Sequence, residues 1–268
     1  MSEFLANPAV QGGVAPFVVA LIAVLLLQPL RLGGFAVSAG FLTAMFLVSG
    51  LQFIPLTATR KIVLLSVAAP VAGMLADFAF KPTRLGAALL AIGASIATLW
   101  VFGPVVLQKQ AWLAGAAIAL ATVFIVGFSQ SFLAGDAVRA GANGLALGLG
   151  SGVAAYLGAS LTYGLYGVAI GAASGAFLLP QMIMSKRTAA GATFTLPAAL
   201  LASLVAAGAI VLAELPWYCI AVLALVPVAA RLPAPAKAPV WLQAVLISLY
   251  AFAVAAAACA LAWRASRT

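Results

Sequence analysis

The carboxylates are the side chains of this sequence most able to carry a proton or a cation inside an apolar protein. There are four: Glu3, Asp77, Asp136 and Glu214. Asp77 precedes Lys81 by four residues and Asp136 precedes Arg139 by three, which are spacings at which opposite charges pair on one helix. Glu214 stands just before Pro216, where it favours the positive end of the next helix. None falls at the centre of an apolar segment, so the pattern argues against a proton or sodium relay through a mid-membrane carboxylate.

Other reactive groups are scarce. Histidine is absent from the sequence, which excludes His-ligated metals or haem and His-based acid–base chemistry in this chain. Cys219 and Cys259 lie in separate apolar runs with no second thiol nearby, and we interpret both as buried, inert thiols. The sequence has no nucleophile–base pair, phosphate-binding loop, dinucleotide motif or metal cluster. We therefore expect no cofactor and no enzymatic activity.

The composition indicates which solvent surrounds the chain. Hydrophobic residues make up 66% of the 268 residues and charged residues 6%, which leaves too little polar surface to cover a soluble globule. The apolar segments follow one another with short gaps, so we expect residues 1–268 to form a single integral membrane domain. The net charge of +9 comes from Lys and Arg that stand singly or in pairs between apolar runs. This distribution is typical of topology determinants and lipid contacts and does not indicate nucleic-acid binding.

The apolar segments predict an all-α, polytopic transmembrane bundle of about ten short-looped spans, or nine if the ninth does not cross. A bilayer core needs about 20 apolar residues per helix. The predicted spans are residues 11–30, 32–53, 62–80, 85–107 and 111–133, two spans within 141–184 joined near residues 160–164, and then 194–213, 216–230 and 241–263. The ninth, at fifteen residues, rises only about 22 Å. Abundant Ala and Gly, few charges and short loops favour a bacterial inner membrane. The start of the sequence lacks the basic region of a signal peptide, so we expect no cleavable signal peptide.

The sixth and seventh spans carry two rows of glycine at four-residue spacing. Small residues at this spacing allow two helix backbones to approach closely in lipid. The spacing predicts close helix packing, and it leaves open whether the partner is the neighbouring helix, another copy of the chain or a different subunit. The helix-packing residues are Gly144, Gly148, Gly152, Gly167, Gly171 and Gly175.

Uncharged polar residues cluster at two places in the predicted bundle. One cluster surrounds Gln130 and Asn143, and the other surrounds Tyr163 and Tyr166 near the turn between spans six and seven. A ligand pocket needs a few placed polar groups in an apolar cleft, and either cluster provides them. Interhelical hydrogen bonds and interfacial tyrosines explain the same residues. The short ninth span beside Glu214 adds that residue to the candidate substrate cavity.

The basic turns place cations beside the starts of predicted helices. Helix N–H groups and a side-chain cation together can hold a lipid phosphate, while ordinary topology-setting charges give the same pattern. The candidate headgroup contacts are Arg60, Lys61, Arg84, Lys186 and Arg187.

Two classes of function fit these features. The glycines, and four prolines that we expect to break helices, favour a small secondary carrier or flippase, since such discontinuities serve alternating access. The four prolines are Pro70, Pro104, Pro180 and Pro227. The scarcity of buried charge suits a neutral or amphiphilic substrate. The same scarcity and the short loops fit a non-catalytic scaffold or anchor subunit of a larger membrane complex. The expected partners are therefore membrane lipids, with either partner subunits or self-association.

Overall fold

The chain forms a helical bundle in the computed structural model, which describes residues 7–30, 32–50, 56–79, 83–158, 160–184, 188–235 and 237–267. These residues contain no strand. The helices are α1 (Ala15–Leu27), α2 (Phe35–Ser49), α3 (Ala58–Ala79), α4 (Arg84–Gln108), α5 (Trp112–Phe128), α6 (Ala137–Leu157), α7 (Leu161–Met184), α8 (Gly191–Leu212), α9 (Tyr218–Leu223), α10 (Val226–Ala230) and α11 (Val240–Ala265). A π-helical turn at Val10–Val14 leads into α1, and another at Ser129–Leu133 continues α5.

Many of these helices have the length and apolarity of membrane spans. Within the described residues there are seven such helical segments: Val10–Leu30, Ala58–Ala79, Arg84–Gln108, Trp112–Leu133, Leu161–Met184, Gly191–Leu212 and Val240–Ala265. The all-helical, multi-pass membrane character predicted from composition is therefore supported. Trp241 and Trp263, near the two ends of the last segment, are both exposed, as expected for indoles at the two membrane interfaces.

Three predicted spans do not reach this standard, so a count of nine to ten spans is not confirmed. The α2 helix has 15 residues and rises about 22 Å, which is less than the roughly 30 Å of a hydrocarbon core. The doubtful span at residues 216–230 is divided into the short helices α9 and α10. The α6 helix is long enough, but Arg139, Asn143 and its glycines make it less apolar than the other long helices.

The prolines have less effect on the helices than the sequence suggested. The expectation that Pro70, Pro104 and Pro180 break their helices is wrong, because α3, α4 and α7 each continue through the proline. Pro227 lies in the first turn of α10, directly after the break that follows α9. A proline within a helix removes one backbone donor and leaves the carbonyl four residues earlier without its helical partner. Each of these carbonyls therefore needs another hydrogen-bond donor.

The α8 helix lies at the centre of the bundle. Every residue from Ala192 to Val211 is buried, and 94% of its most apolar segment is enclosed, against 28–39% for the spans containing α1, α3, α4, α5 and α11. It packs against α3, α4, α5, α6 and α7. A helix that is apolar on all sides belongs in the interior of a bundle. The sequence drew attention to the glycine hairpin, whereas the structure places the next helix at the centre.

The glycine rows lie where α6 and α7 pack against each other. A Cβ on Gly148 would collide with the backbone of Gly171, and a Cβ on Gly152 would lie 2.7 Å from the Val168 nitrogen and 2.9 Å from the Gly167 carbonyl carbon. The neighbouring helix is therefore the partner of the central glycines. Near the other end of the rows, a Cβ on Gly144 would crowd the Ser174 hydroxyl at 2.6 Å.

Gly175 differs from the other glycines of the two rows. A Cβ on Gly175 would meet only the Leu145 side chain, at the ordinary contact distance of 3.5 Å. This position therefore has room for a methyl group. The turn that joins the two helices also lies slightly earlier than predicted, because α6 ends at Leu157 and α7 already begins at Leu161.

The two kinds of glycine predict opposite effects of alanine. Gly148→Ala forces two backbones apart and should cost about 1–3 kcal/mol, as overpacking does. Gly175→Ala has room for its methyl group and should be neutral or stabilising by up to about 1 kcal/mol, because alanine favours helices more than glycine does. The thermal unfolding of both variants in detergent, followed by tryptophan fluorescence, measures the difference. Equal midpoints for Gly148→Ala and the wild type would contradict backbone contact at this site.

Candidate functional site

The beginning of α8 is held by a carboxylate from another helix. Asp77, near the end of α3, accepts hydrogen bonds from the Ala192 N–H through Oδ1 at 2.7 Å and from the Thr193 N–H and hydroxyl through Oδ2 at 2.8 and 2.6 Å. The Ala134 carbonyl accepts from the two preceding N–H groups, those of Ala190 and Gly191, at 3.0 and 2.9 Å. Four successive N–H groups that a helix leaves unpaired at its start are thereby satisfied by two other segments.

Glycines allow this close approach to the beginning of α8. Gly191 has φ +71°, a left-handed conformation, and a Cβ there would collide with the Asp77 carboxylate. A Cβ on Gly34 or Gly73 would collide with the backbone at Thr193 or Ala192, respectively. Both α3 and the residues leading into α2 therefore lie in backbone contact with the first turn of α8. The predicted pairing of Asp77 with Lys81 falls outside the described residues.

The end of α8 is held by a cation. The Lys109 ammonium, just after α4, donates a hydrogen bond of 2.8 Å to the Val211 carbonyl in the last turn of α8. An acid at the N-terminus and a base at the C-terminus both complement the helix dipole. Glu214 follows α8 in a left-handed conformation with φ +57°, and its side chain is exposed. The Leu215 N–H turns back to the Ala209 carbonyl at 3.1 Å, so Glu214 lies in the turn that ends the helix.

The remaining described carboxylate also begins a helix. Asp136 Oδ1 accepts from the N–H groups of Val138 and Arg139 at 3.0 and 3.3 Å at the start of α6, and its Oδ2 lies 3.5 Å from the Arg139 guanidinium. The predicted Asp136–Arg139 pair is therefore present. The same guanidinium donates to the carbonyls of Ala230 and Leu232 at the end of α10, at 2.8 and 2.9 Å. These charges thus join the start of α6 to the end of α10.

Lys61 satisfies a carbonyl that a proline leaves unpaired. Pro104 cannot donate to the carbonyl of Trp100, four residues earlier in α4, and the Lys61 ammonium donates to that oxygen at 2.9 Å. The same ammonium lies 4.8 Å from the centre of the Trp100 ring, within the range of a cation–π interaction. The candidate lipid contact Lys61 therefore also has protein partners in the structure.

The other candidate headgroup residues have different surroundings. Arg60 is half-buried and also interacts within the protein. Arg84 is exposed at the first turn of α4 and lines an open groove between α4 and α5. Lys186 and Arg187 lie outside the described residues. Arg84 is therefore the candidate headgroup contact whose position beside a groove the structure describes.

The candidate cavity residues fall at opposite ends of the bundle. Asn143 is buried and donates to the Ser129 hydroxyl at 3.2 Å, next to Gln130 in the π-helical turn that follows α5. Neither Asn143 Oδ1 nor Gln130 Nε2 has a hydrogen-bond partner among the described residues. This pair lies near the beginning of α8, because the segment that follows it supplies the Ala134 carbonyl. Glu214 lies at the other end of α8.

The tyrosine cluster lies near the end of α8. The ring of Tyr163 packs directly against Gly208, where a Cβ would collide with it. Tyr166 is buried and its hydroxyl lies 2.9 Å from the Ser49 hydroxyl, while its ring packs edge-on against Phe41 at a centroid distance of 5.7 Å. The five candidate cavity residues therefore form two separate groups, divided by the length of the central helix.

One face of α7 carries unpaired polar atoms where it meets α6 and α8. Tyr163 lies against Gly208, and Ser174 lies beside Gly144, which is also next to Ala198 of α8. Gln181 accepts a hydrogen bond of 3.0 Å from the Thr188 hydroxyl, just before α8. The Tyr163 hydroxyl, the Ser174 hydroxyl and Gln181 Nε2 are buried without a hydrogen-bond partner among the described residues. We call these three side chains the α7 polar row.

The α7 polar row has a length close to the thickness of a hydrocarbon core. Its first and last members are 18 residues apart, which is about 27 Å of helix and close to the roughly 30 Å thickness of the hydrocarbon core. Sequence reasoning identified Tyr163 and missed Ser174 and Gln181. The spacings of eleven and seven residues both come close to whole helical turns, and this periodicity is the signal that would have placed the three on one face.

Two grooves open on the outer surface of the bundle. One, of about 490 Å³, lies between the end of α1 and α3 and is lined by apolar residues that include Leu30, Met74 and Phe78. The other, of about 360 Å³, lies between α4 and α5 and includes Arg84 and Ser131 at one end. Both open toward the outside of the bundle. The described residues contain no group of three or more Cys, Asp or Glu side chains arranged to hold a metal ion.

Comparison with known proteins returned no relatives. A scan against protein-family models, a search of curated proteins and a search of solved structures each found no match for this chain.

The Asp77 contacts predict a specific loss of stability. Asp77→Ala leaves three donors at the beginning of α8 without their acceptor, and we expect a loss of about 1–2 kcal/mol, typical of a missing helix cap. Glu214→Ala removes an exposed carboxylate and should change stability by less than about 0.5 kcal/mol. Reversible unfolding in mixed micelles compares the two variants with the wild type. Equal stability losses for the two would argue that Asp77 acts only through the net charge.

The Lys61 contact predicts an interaction energy with Pro104. Lys61→Met should cost about 1.5 kcal/mol in the wild type, the lower end for a hydrogen bond to a charged group. In a Pro104→Ala background the backbone N–H at position 104 can donate to the Trp100 carbonyl, so Lys61→Met should cost less. A double-mutant cycle on unfolding free energies isolates this difference. Identical costs in both backgrounds would mean that the ammonium does not replace the missing donor.

Proposed function

We propose that this chain is a small membrane carrier or flippase, not an enzyme, whose neutral or amphiphilic substrate passes along the contact between α7 and α8. The observation that supports the proposal is the α7 polar row. A polar group buried without a hydrogen bond costs a few kcal/mol, and the surrounding hydrocarbon offers it no partner. Water or a substrate that hydrogen-bonds to these atoms would remove that cost at three successive positions across the membrane.

The placement of charge supports an uncharged transported group. Asp77, Lys109 and Asp136 are engaged at helix ends, and Lys61 at a proline-freed carbonyl. The polar row itself carries hydroxyl and amide groups, which hydrogen-bond to neutral solutes or to the polar part of an amphiphile. A dicarboxylate or a sugar phosphate would require buried cations beside its path.

The proposal includes a topology and a location. We propose that α2, α6 and the α9–α10 pair also lie within the membrane, which gives ten helical segments with the broken ninth beside α11. Discontinuous helices of this kind are common beside the substrate sites of carriers. The scarcity of charge and the short loops favour a bacterial inner membrane as the location.

A scaffold or anchor subunit is the second candidate. The observation that favours it is the dense packing around α8, with α6 and α7 in backbone contact and the Tyr163 ring pressed against Gly208. A subunit whose role is to hold other proteins needs no path through its interior. Purification from the native membrane in mild detergent tests this reading, because a scaffold would bring other subunits with it in fixed ratio.

Cysteine accessibility distinguishes the two candidates. In a Cys219→Ala, Cys259→Ala background, Ser174→Cys places a thiol in the middle of the α7 polar row. Ser203→Cys is the matched control, because Ser203 is equally buried in α8 and its hydroxyl donates to the Ala199 carbonyl at 2.8 Å within the same helix. We expect the Ser174→Cys variant to react many-fold faster with a membrane-impermeant thiol reagent. If both thiols resist the reagent from either side of the membrane, the carrier proposal fails.

A further inference from the structure

The groove between α4 and α5 combines an apolar wall with a cationic end. Its wall includes the exposed side chains of Ile92 and Phe124. Phe124, Phe128 and Phe132 follow one another along α5 and its π-helical turn, with ring centroids 5.7 and 4.6 Å apart. Gly127 lies against Ala91 at its floor, where a Cβ would be 3.3 Å from the methyl group of Ala91. The groove thus presents a row of rings on one side and aliphatic groups on the other.

Two arginines border the same end of the groove. Arg84 lines it directly, and the Arg231 guanidinium lies 5.8 Å from the centre of the Phe132 ring. Among the described residues at this end of the bundle, Asp136 and Arg139 pair with each other at 3.5 Å, and the Asp77 carboxylate accepts hydrogen bonds from the start of α8. Arg84 and Arg231 are the two cations beside the groove itself. An anion at this end would meet a net attraction.

The length of the groove corresponds to one leaflet. From Arg84 to Ile92 the α4 wall extends over eight residues, which is about 12 Å of helix. Half of a hydrocarbon core is about 15 Å. The arginines lie at the end where α4 begins and α5 ends, so the groove runs from the membrane boundary toward the middle of the bilayer. This is the depth that the chain of a lipid occupies when its headgroup lies at the boundary.

We propose that this groove is a binding site for an anionic glycerophospholipid. One acyl chain lies along Phe124 and Phe128, and the phosphate-bearing headgroup lies at Arg84 and Arg231. Arg is suited to this role because its guanidinium can bind phosphate oxygens in pairs. A second copy of the chain is a poorer occupant, because a symmetric contact through this face would bring the arginine pairs of both copies together. The site is independent of the proposed path along α7 and α8.

Native mass spectrometry of the detergent-solubilised chain tests the proposal. The protein is titrated with phosphatidylglycerol or with phosphatidylcholine of the same acyl chains. We expect one phosphatidylglycerol to bind in preference to phosphatidylcholine. Arg84→Gln should weaken phosphatidylglycerol binding about fivefold, and the double variant with Arg231→Gln about 25-fold, from roughly 1 kcal/mol per arginine near an anionic lipid. Arg264→Gln is the matched control, since Arg264 is exposed near the end of α11, at the opposite membrane boundary.

A second pair of variants tests the apolar part of the groove. Ala88→Phe fills the groove, because Ala88 is exposed and lines it, and should abolish the preferential binding. Leu89→Phe adds an aromatic ring one residue further along the exposed surface and should leave it unchanged. Four outcomes would each overturn the site. Two are equal weakening of phosphatidylglycerol binding by Arg264→Gln and equal retention of the two lipids. The others are competition by chain-free glycerol phosphate at the same concentration and a dimer in place of a lipid adduct.

Discussion

The hydrogen bonds between the Asp77 carboxylate and the first turn of α8 are the interaction on which the bundle most depends. In lipid, the unpaired N–H groups at the beginning of a helix have no water to bind, so another part of the protein must supply the acceptors. Asp77 supplies them from α3, and the Ala134 carbonyl supplies the rest from the end of α5. Because α8 packs against most of the other helices, the position of its first turn also fixes where α3, α5 and α6 lie.

Four other charged side chains also bind backbone groups. Lys109 binds a carbonyl at the end of α8, Asp136 begins α6, Arg139 holds the end of α10, and Lys61 replaces a donor lost to Pro104. Only 6% of the residues are charged, and several of them bind backbone groups that have no hydrogen-bond partner within their own helices. The buried polar atoms of the α7 polar row are the contrast, since their partners are not supplied by the described protein. That contrast is the basis for the proposed path along the α7–α8 contact.

The sequence was sufficient for the all-helical, multi-pass character and insufficient for the number of spans and for the site. Apolar runs and short polar turns located the helical segments, because their length and composition are set by the bilayer. The break after α9 could be anticipated from the short segment 216–230 and Pro227. Helix neighbours cannot be read from one sequence, so the binding of the Asp77 carboxylate to α8 is absent from the sequence predictions. The continuation of α3, α4 and α7 through Pro70, Pro104 and Pro180 is absent from them as well. Ser174 and Gln181 were missed because their importance depends on what faces them.

Amide hydrogen exchange of the chain in lipid nanodiscs tests the central claim that α8 is an enclosed helix with both ends satisfied by other segments. Mass spectrometry with overlapping peptides resolves the exchange along the chain. We expect α8 to exchange most slowly, with its first turn at Ala190–Thr193 nearly as protected as its middle. The first turn of α4, where exposed Thr83 provides a cap, is the internal comparison and should exchange much faster. Equal exchange of these two first turns would contradict the account.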